Sequence, residues 1–306
     1  MKAIVFGGSG FLGSHVADEL SDRGYDVTIY DRQRSPYVRK SQKMVIGDIL
    51  DRKKVAEAIK GHDYVYSYAG IAGISDASED PVKTVETNVL GTTILVEACR
   101  HHKVKRFVFA STIYVYSNAA PFYRSSKQAC EFIIEDYQKT YGVDYTILRY
   151  GSLYGTRANH FNYIYTIIQQ AIENGKIVRK GNGEEIRNYI HVKDAARCSV
   201  DILSDEYRNQ YVILTGNQSI KIKDLLKMIR EMFNGEISVE FSPEPEPGHY
   251  EITPYSFKPK VAKTLAPVLH YDLGQGILDV IYEVYSKTDK SNVRLSKIKE
   301  LIDPET

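Results

Sequence analysis

Short β-branched or aromatic runs alternate with stretches of helical periodicity through the first half of the chain. The runs are KAIVFGG, YDVTIYD, KMVIGD, DYVYSYAG, RFVFAST and DYTILRYG; between them lie Leu12 to Arg23, Arg52 to Lys60, Val82 to His101 and Tyr123 to Tyr141. The stretch from Val82 repeats apolar side chains at Val85, Val89, Ile94, Leu95 and Ala98, the spacing of a helix with one buried face. The runs are apolar almost throughout, which suits strands covered on both sides. Alternation of this kind predicts βαβ units, hence a doubly wound parallel sheet of the α/β class.

After Arg149 the pattern loosens. GNGEEIRNYIHVKDAA predicts a turn, a strand over Ile186 to Val192 and a helix, and NQYVILTGN predicts a further strand. FSPEPEPGHYEITPY is too rich in proline for a helix to cross. The expected organisation is a dinucleotide-binding body of residues 1–150 and 181–217, a smaller, discontinuous C-terminal substrate lobe of 151–180 and 218–287, and a polar tail over 288–306.

Composition narrows the function classes. Lys and Arg number 40 against 39 for Asp and Glu, so there is no summed field to draw a nucleic-acid backbone or an anionic membrane. The first residues, MKAIVFGG, run straight into an apolar strand and no apolar run reaches the ~18 residues a membrane span needs, so neither a secretory leader nor a span is expected, and the expected location is the cytoplasm. Cys99, Cys130 and Cys198 are widely separated and stand in no metal-ligand spacing, so neither a disulfide framework nor a metal is expected.

Chemistry enters with VFGGSGFLGSH, which follows the first strand and opens the first helix. Gly7, Gly10 and Gly13 allow a tight turn, close approach to a pyrophosphate and close packing of helix on sheet, while the helix N-terminus offers free N–H groups to the anion. Asp31 ends the second strand about 20 residues on, where a carboxylate accepts ribose hydroxyls and repels a 2′-phosphate, favouring NAD. Arg32, next to it, is the residue type that would favour the phosphorylated cofactor. Asp48 ends the third run and is expected near the adenine, and Tyr68 to Gly73 fall where a loop should border the nicotinamide ribose.

Thr112 stands at the carboxyl end of RFVFAST and Tyr123 at the start of the next helix, with Lys127 one turn later on the same face. A phenol is a weak base near neutrality, but a nearby ammonium and an oxidised nicotinamide both favour its phenolate. Such a group suits proton exchange at a carbinol.

GGSGFLG, Asp31, GDI, NVLGTTILVEAC, ASTIYVYS, YRSSK, TILRYGSLYG and GNGEEIRNYIHVKDAA together resemble the NAD-dependent epimerase/dehydratase family of extended short-chain dehydrogenases/reductases, across nearly the whole chain. The resemblance implies a Rossmann fold, NAD as cofactor, a nucleotide-diphosphate sugar as substrate, and a homodimer formed through the helices that start at Val82 and Tyr123. It implies Thr112, Tyr123 and Lys127 as the catalytic group, with Tyr123 the acid/base and Lys127 also gripping the nicotinamide ribose. Phe11, Leu12, Ile49, Ala69, Gly70 and Asn88, within or beside the shared motifs, join the expected cofactor contacts. Thr112, Ser152, Arg187 and His249 are the expected substrate contacts, with Arg187 on the diphosphate.

Departures from the family pattern narrow the activity. Ile113 and Tyr114 occupy the places of the Asp-Glu pair of family dehydratases, whose glutamate the decarboxylases keep, so dehydration and decarboxylation are disfavoured. The segment before Tyr123 is short, Ser152 replaces a common asparagine, and PEPGHY lacks an arginine usual in that loop. The expected activity is C4-epimerisation through a transient 4-keto sugar. A net 4-dehydrogenase is the rival enzyme, and a catalytically silent dinucleotide-sensing protein the rival from another class.

Overall fold

A computed structural model describes residues 1–217, 219–244, 263–265 and 271–288. In chain order its strands are β1 Lys2–Phe6, β2 Asp26–Asp31, β3 Lys43–Ile46, β4 Tyr64–Ser67, β5 Arg106–Thr112, β6 Tyr145–Tyr150, β7 Ser152–Tyr154, β8 Lys176–Lys180, β9 Ile186–His191, β10 Gln210–Leu214, β11 Ser219–Lys221, β12 Ser238–Ser242 and β13 Lys263–Thr264. The helices are α1 Phe11–Asp22, α2 Arg52–Ile59, α3 Ile74–Glu79, α4 Pro81–Thr84, α5 Gly91–His102, α6 Pro121–Tyr141, α7 Tyr163–Asn174, α8 Val192–Asp201, α9 Ile222–Met232 and α10 Leu273–Lys287.

Eight strands form one sheet in the order β3-β2-β1-β4-β5-β6-β10-β13, and every neighbouring pair is parallel. The order reverses between β1 and β4, and a crevice at such a switch point, outside the carboxyl ends of the strands, is where open α/β sheets bind ligands. One face of the sheet is covered by α1 and α8 through Leu12, Val16, Leu20, Ala195 and Val200. On the other, Val55 and Ile59 of α2, Leu95 of α5 and Ile134 of α6 pack on Ile4, Phe107 and Ile147. A third core joins α7, α9 and α10 through Ile168, Leu225 and Ile281.

The strand β9 departs from expectation: it leaves the main sheet and lies between β7 and β11 in a three-stranded sheet. Its alternation explains this, because Ile190 points into the main core while Tyr189 points into the third core. The chain returns to the main body with α8 and to the main sheet with β10. The single helix expected over 82–101 is also divided, by a π-helical turn over Val85–Leu90. The three cysteines are buried free thiols.

Candidate active site

The glycine loop is built to let backbones touch. Gly7 has φ +79°, and a Cβ there would lie 2.5 Å from the Ala69 nitrogen; a Cβ on Gly13 would lie 2.3 Å from the Gly7 carbonyl oxygen. Gly10 starts α1 with no side chain capping the helix, so the N–H groups of the first turn face the crevice without a side-chain acceptor. Phe11 and Leu12 bring backbone to that turn, while their side chains pack toward His15 and the core.

Asp31 sits beside the loop. One carboxylate oxygen accepts from the Ser9 N–H at 3.0 Å and the other from the Gln33 N–H at 3.2 Å. Arg32 is exposed. Asp48, also exposed, accepts from the Leu50 N–H at 2.9 Å, and Ile49 is buried against Gly91 in the core. A bare turn of amides, a loop that excludes side chains and a carboxylate at the end of β2 fit the phosphates and ribose of NAD.

The segment after β4 runs along the opposite side of the crevice. The Tyr68 hydroxyl meets that of Tyr150 at 3.1 Å, so its ring is anchored in the core, and burial pushes its phenol up to about 12. Gly70 has φ +157°, and a Cβ there would come 2.7 Å from Asn88 Oδ1 and 4.0 Å from Lys127 Nζ. Asn88, in the π-helical turn, accepts from Ile71 N–H at 2.7 Å and donates to Ile71 O and to Ser126 Oγ, each at 3.0 Å. Its side chain holds the 68–73 loop against α6.

Thr112, Tyr123 and Lys127 come together at the carboxyl end of β5. Thr112 is 5% exposed, and its hydroxyl accepts from the Tyr114 N–H at 3.2 Å and lies close enough to the Tyr123 phenol to lower its pKa. Lys127 is 7% exposed; its Nζ donates to the Ala110 carbonyl at 2.8 Å and lies 6.0 Å from the centroid of the Tyr123 ring. Burial pushes the Tyr123 phenol up to about 12, with the Thr112 hydroxyl opposing, and burial lowers Lys127. One of the three ammonium donors of Lys127 is thus engaged on β5, and burial favours the protonated phenol of Tyr123 in the protein without its cofactor.

Ile113 is buried in a small core cluster and the Tyr114 ring meets that of Tyr123 edge-on at 6.3 Å, so neither place after Thr112 offers a carboxylate. The short connection before α6 closes through Ala120 in the left-handed region (φ 51°), followed by Pro121 in the first helical turn, and Arg124 donates to the Ser117 carbonyl at 3.0 Å. On the small sheet Ser152 pairs with Tyr189, and Arg187, 5% exposed, donates to the Ile186 carbonyl at 3.2 Å. His249 lies outside the described residues. Sequence reasoning passed over Ser111, Glu131 and Arg149, which form a buried network directly behind Thr112; the signal was Glu131, one turn after Lys127. Among the described residues no cluster of side chains suits a metal ion, and no helix is long and apolar enough to cross a membrane.

A doubly wound sheet with a glycine loop at its switch point defines a dinucleotide-binding fold, and Thr112, Tyr123 and Lys127 meet at the end of its β5. The chain belongs to the NAD dependent epimerase/dehydratase family, which it matches over residues 3–213. Enzymes of this group are NAD-dependent nucleotide-sugar epimerases and their relatives. A Methanocaldococcus jannaschii protein provisionally named UDP-glucose 4-epimerase is 28% identical, covering 91% of this chain and 96% of its own length. A UDP-N-acetyl-alpha-D-glucosaminuronate decarboxylase of Bacillus cytotoxicus is 27% identical, covering 79% and 83%. Among solved structures, the UDP-glucose 4-epimerase of Thermus thermophilus, in complex with NAD, superposes with a TM-score of 0.80 at 25% identity, covering 94% of this chain and 100% of the other.

Proposed function

We propose that this protein is a C4-epimerase of a nucleotide-diphosphate sugar. The observation that carries the reading is the Tyr123 phenol beside Thr112 at the carboxyl end of β5, one helical turn from Lys127, with no carboxylate at either of the next two positions after Thr112. Bound NAD would accept a hydride from C4 and return it, and its oxidised ring would bring a positive charge. The chain's residues supply the rest. Thr112 orients the C4 hydroxyl, and Tyr123 takes its proton and later returns it. Lys127, fixed on the Ala110 carbonyl, lies close to Gly70 on the loop assigned to the nicotinamide ribose. Gly7, Gly10 and Gly13 admit the pyrophosphate, and Asp31 accepts the adenosine ribose hydroxyls. Ser152, Arg187 and His249 are assigned to the sugar nucleotide.

The names of several relatives support epimerisation, and the lack of an acid after Thr112 argues against the decarboxylase reaction of another. A net 4-dehydrogenase is the second reading, favoured by the short segment between Ser117 and Tyr123, which leaves less protein over the sugar. The state of the cofactor decides between them. An epimerase purified from cells should carry NAD that survives gel filtration, because the hydride returns to the same sugar; a site that loses and regains NAD freely would favour the dehydrogenase. We further assign the main body to the cofactor, the α7, α9 and α10 lobe to the sugar nucleotide, and the protein to the cytoplasm.

A further inference from the structure

Helix α6 carries more than a tyrosine and a lysine. Tyr123, Lys127, Glu131 and Glu135 recur every four residues and climb one side of the helix. Each rung reaches the sheet or the segment that extends it. Tyr123 meets Thr112, and Lys127 meets the Ala110 carbonyl. Glu131 accepts from the Ser111 hydroxyl at 2.6 Å and from Arg149 Nε and Nη2, at 2.9 and 2.7 Å. Glu135 accepts from the Tyr211 hydroxyl.

Ser111 and Arg149 are cross-strand neighbours on β5 and β6, so the two strands grip the same carboxylate. Arg149 also donates to the Tyr116 hydroxyl, in the turn that follows Thr112. Its guanidinium lies 4.7 Å from the Tyr116 ring centroid and 4.3 Å from that of Tyr211. One side chain thus ties β6, α6 and the turn after Thr112 together.

Stability alone is a weak reason for this arrangement. Arg149 is 1% and Glu131 2% exposed, and two charges taken so far from water give up hydration that their attraction only partly repays. An apolar pair of similar volume often folds as well or better. What an apolar pair lacks is register: dispersion contacts tolerate sliding, whereas a bidentate fork holds both distance and orientation. Displacement of a reacting group by ~1 Å can cost ~10²-fold in rate.

We infer that the Glu131–Arg149 pair, with Ser111, is a positioning clamp that sets the axial register of α6 on β5 and thereby aligns Tyr123 and Lys127 with Thr112. The inference rests on the reading of those three residues as the catalytic group.

The test is the charge-free double variant Glu131→Leu/Arg149→Met. Three quantities are measured: thermal unfolding; kcat and KM with UDP-glucose and NAD; and the ring-carbon NMR signal of Tyr123 in protein labelled with [ζ-13C]tyrosine, assigned by its loss in Tyr123→Phe. The clamp predicts a folded protein with a Tm no lower than wild type, a kcat reduced at least roughly tenfold, a KM within about twofold, and a Tyr123 signal displaced or broadened. Should the double variant fail to fold, Glu131→Gln replaces it, since it keeps the volume and the Ser111 acceptor and weakens only the fork; the same changes in kcat and in the Tyr123 signal are expected. Wild-type kcat with an unmoved signal in a folded variant overturns the clamp. So does a loss of kcat that merely tracks a lower Tm while the signal stays put. If the wild type turns over no nucleotide sugar, the functional reading fails on its own, and the Tyr123 signal decides the clamp.

Discussion

At the scale of single residues, the site combines groups whose roles pull in different directions. Asp31 is both a buttress of the glycine loop and the acceptor assigned to the ribose. Asp31→Ala should therefore weaken NAD at least roughly tenfold and narrow the preference over NADP, as read by titration calorimetry with each cofactor; unchanged affinity for both removes Asp31 from the site. Two buried histidines set the acid limit. Burial lowers His15 to about 4 and His191 to about 3 from an ordinary value of 6.5, so the unfolded chain binds protons that the folded one does not. Their contribution to stability is complete above pH 6.5 and is lost as pH falls, toward 4 for His15 and toward 3 for His191. Tm should drop over that interval, and His15→Gln, which keeps a donor for the Thr156 carbonyl, should flatten the drop; an unchanged slope contradicts the assignment. The meeting of Thr112, Tyr123 and Lys127 in space was legible in the sequence because spacing on a strand end and a helix face is local information. The acceptor that Lys127 chooses was not, because the Ala110 carbonyl reaches it only through the packing of α6 on β5.

At the scale of elements, the glycine loop and α1 act as one part. A methyl on Gly13 would collide with backbone, the Gly7 carbonyl, rather than with a side chain that can turn away. Gly13→Ala should lower Tm and weaken NAD binding together, each checked in the same preparation, and an unchanged pair of values would mean that the loop is not held as described. The strands β1 to β6 and β10 and the helices α1, α2 and α6 were readable, since short, nearly continuous apolar runs alternating with longer helical stretches mark βαβ units; β13 was not. Two further features were not. The π-helical turn over Val85–Leu90 depends on Asn88 reaching Ile71 and Ser126, contacts far along the chain. Placement of β9 depends on two cores competing for alternate side chains, which strand propensity does not encode.

At the scale of the whole molecule, α4, the π-helical turn and α6 pack together and leave Val82, Val85, Phe122 and Phe132 exposed, between 45% and 69% each. A second copy of the chain is the cover we propose, the homodimer the sequence suggests. Sedimentation should report a dimer for the wild type and a monomer for Phe132→Glu; a monomeric wild type would refute it. The proposed reaction has Tyr123 shuttle the proton while hydrogen leaves and returns to the same C4. It is tested most directly by giving the protein UDP-glucose deuterated at C4, with NAD, and following the products by NMR for the wild type and Tyr123→Phe. The expected product is the C4 epimer with deuterium retained and no accumulated keto sugar, formed at least ~10²-fold more slowly by the folded, NAD-binding variant. A keto sugar as the end product, deuterium lost to solvent, or near-normal turnover by Tyr123→Phe would contradict it.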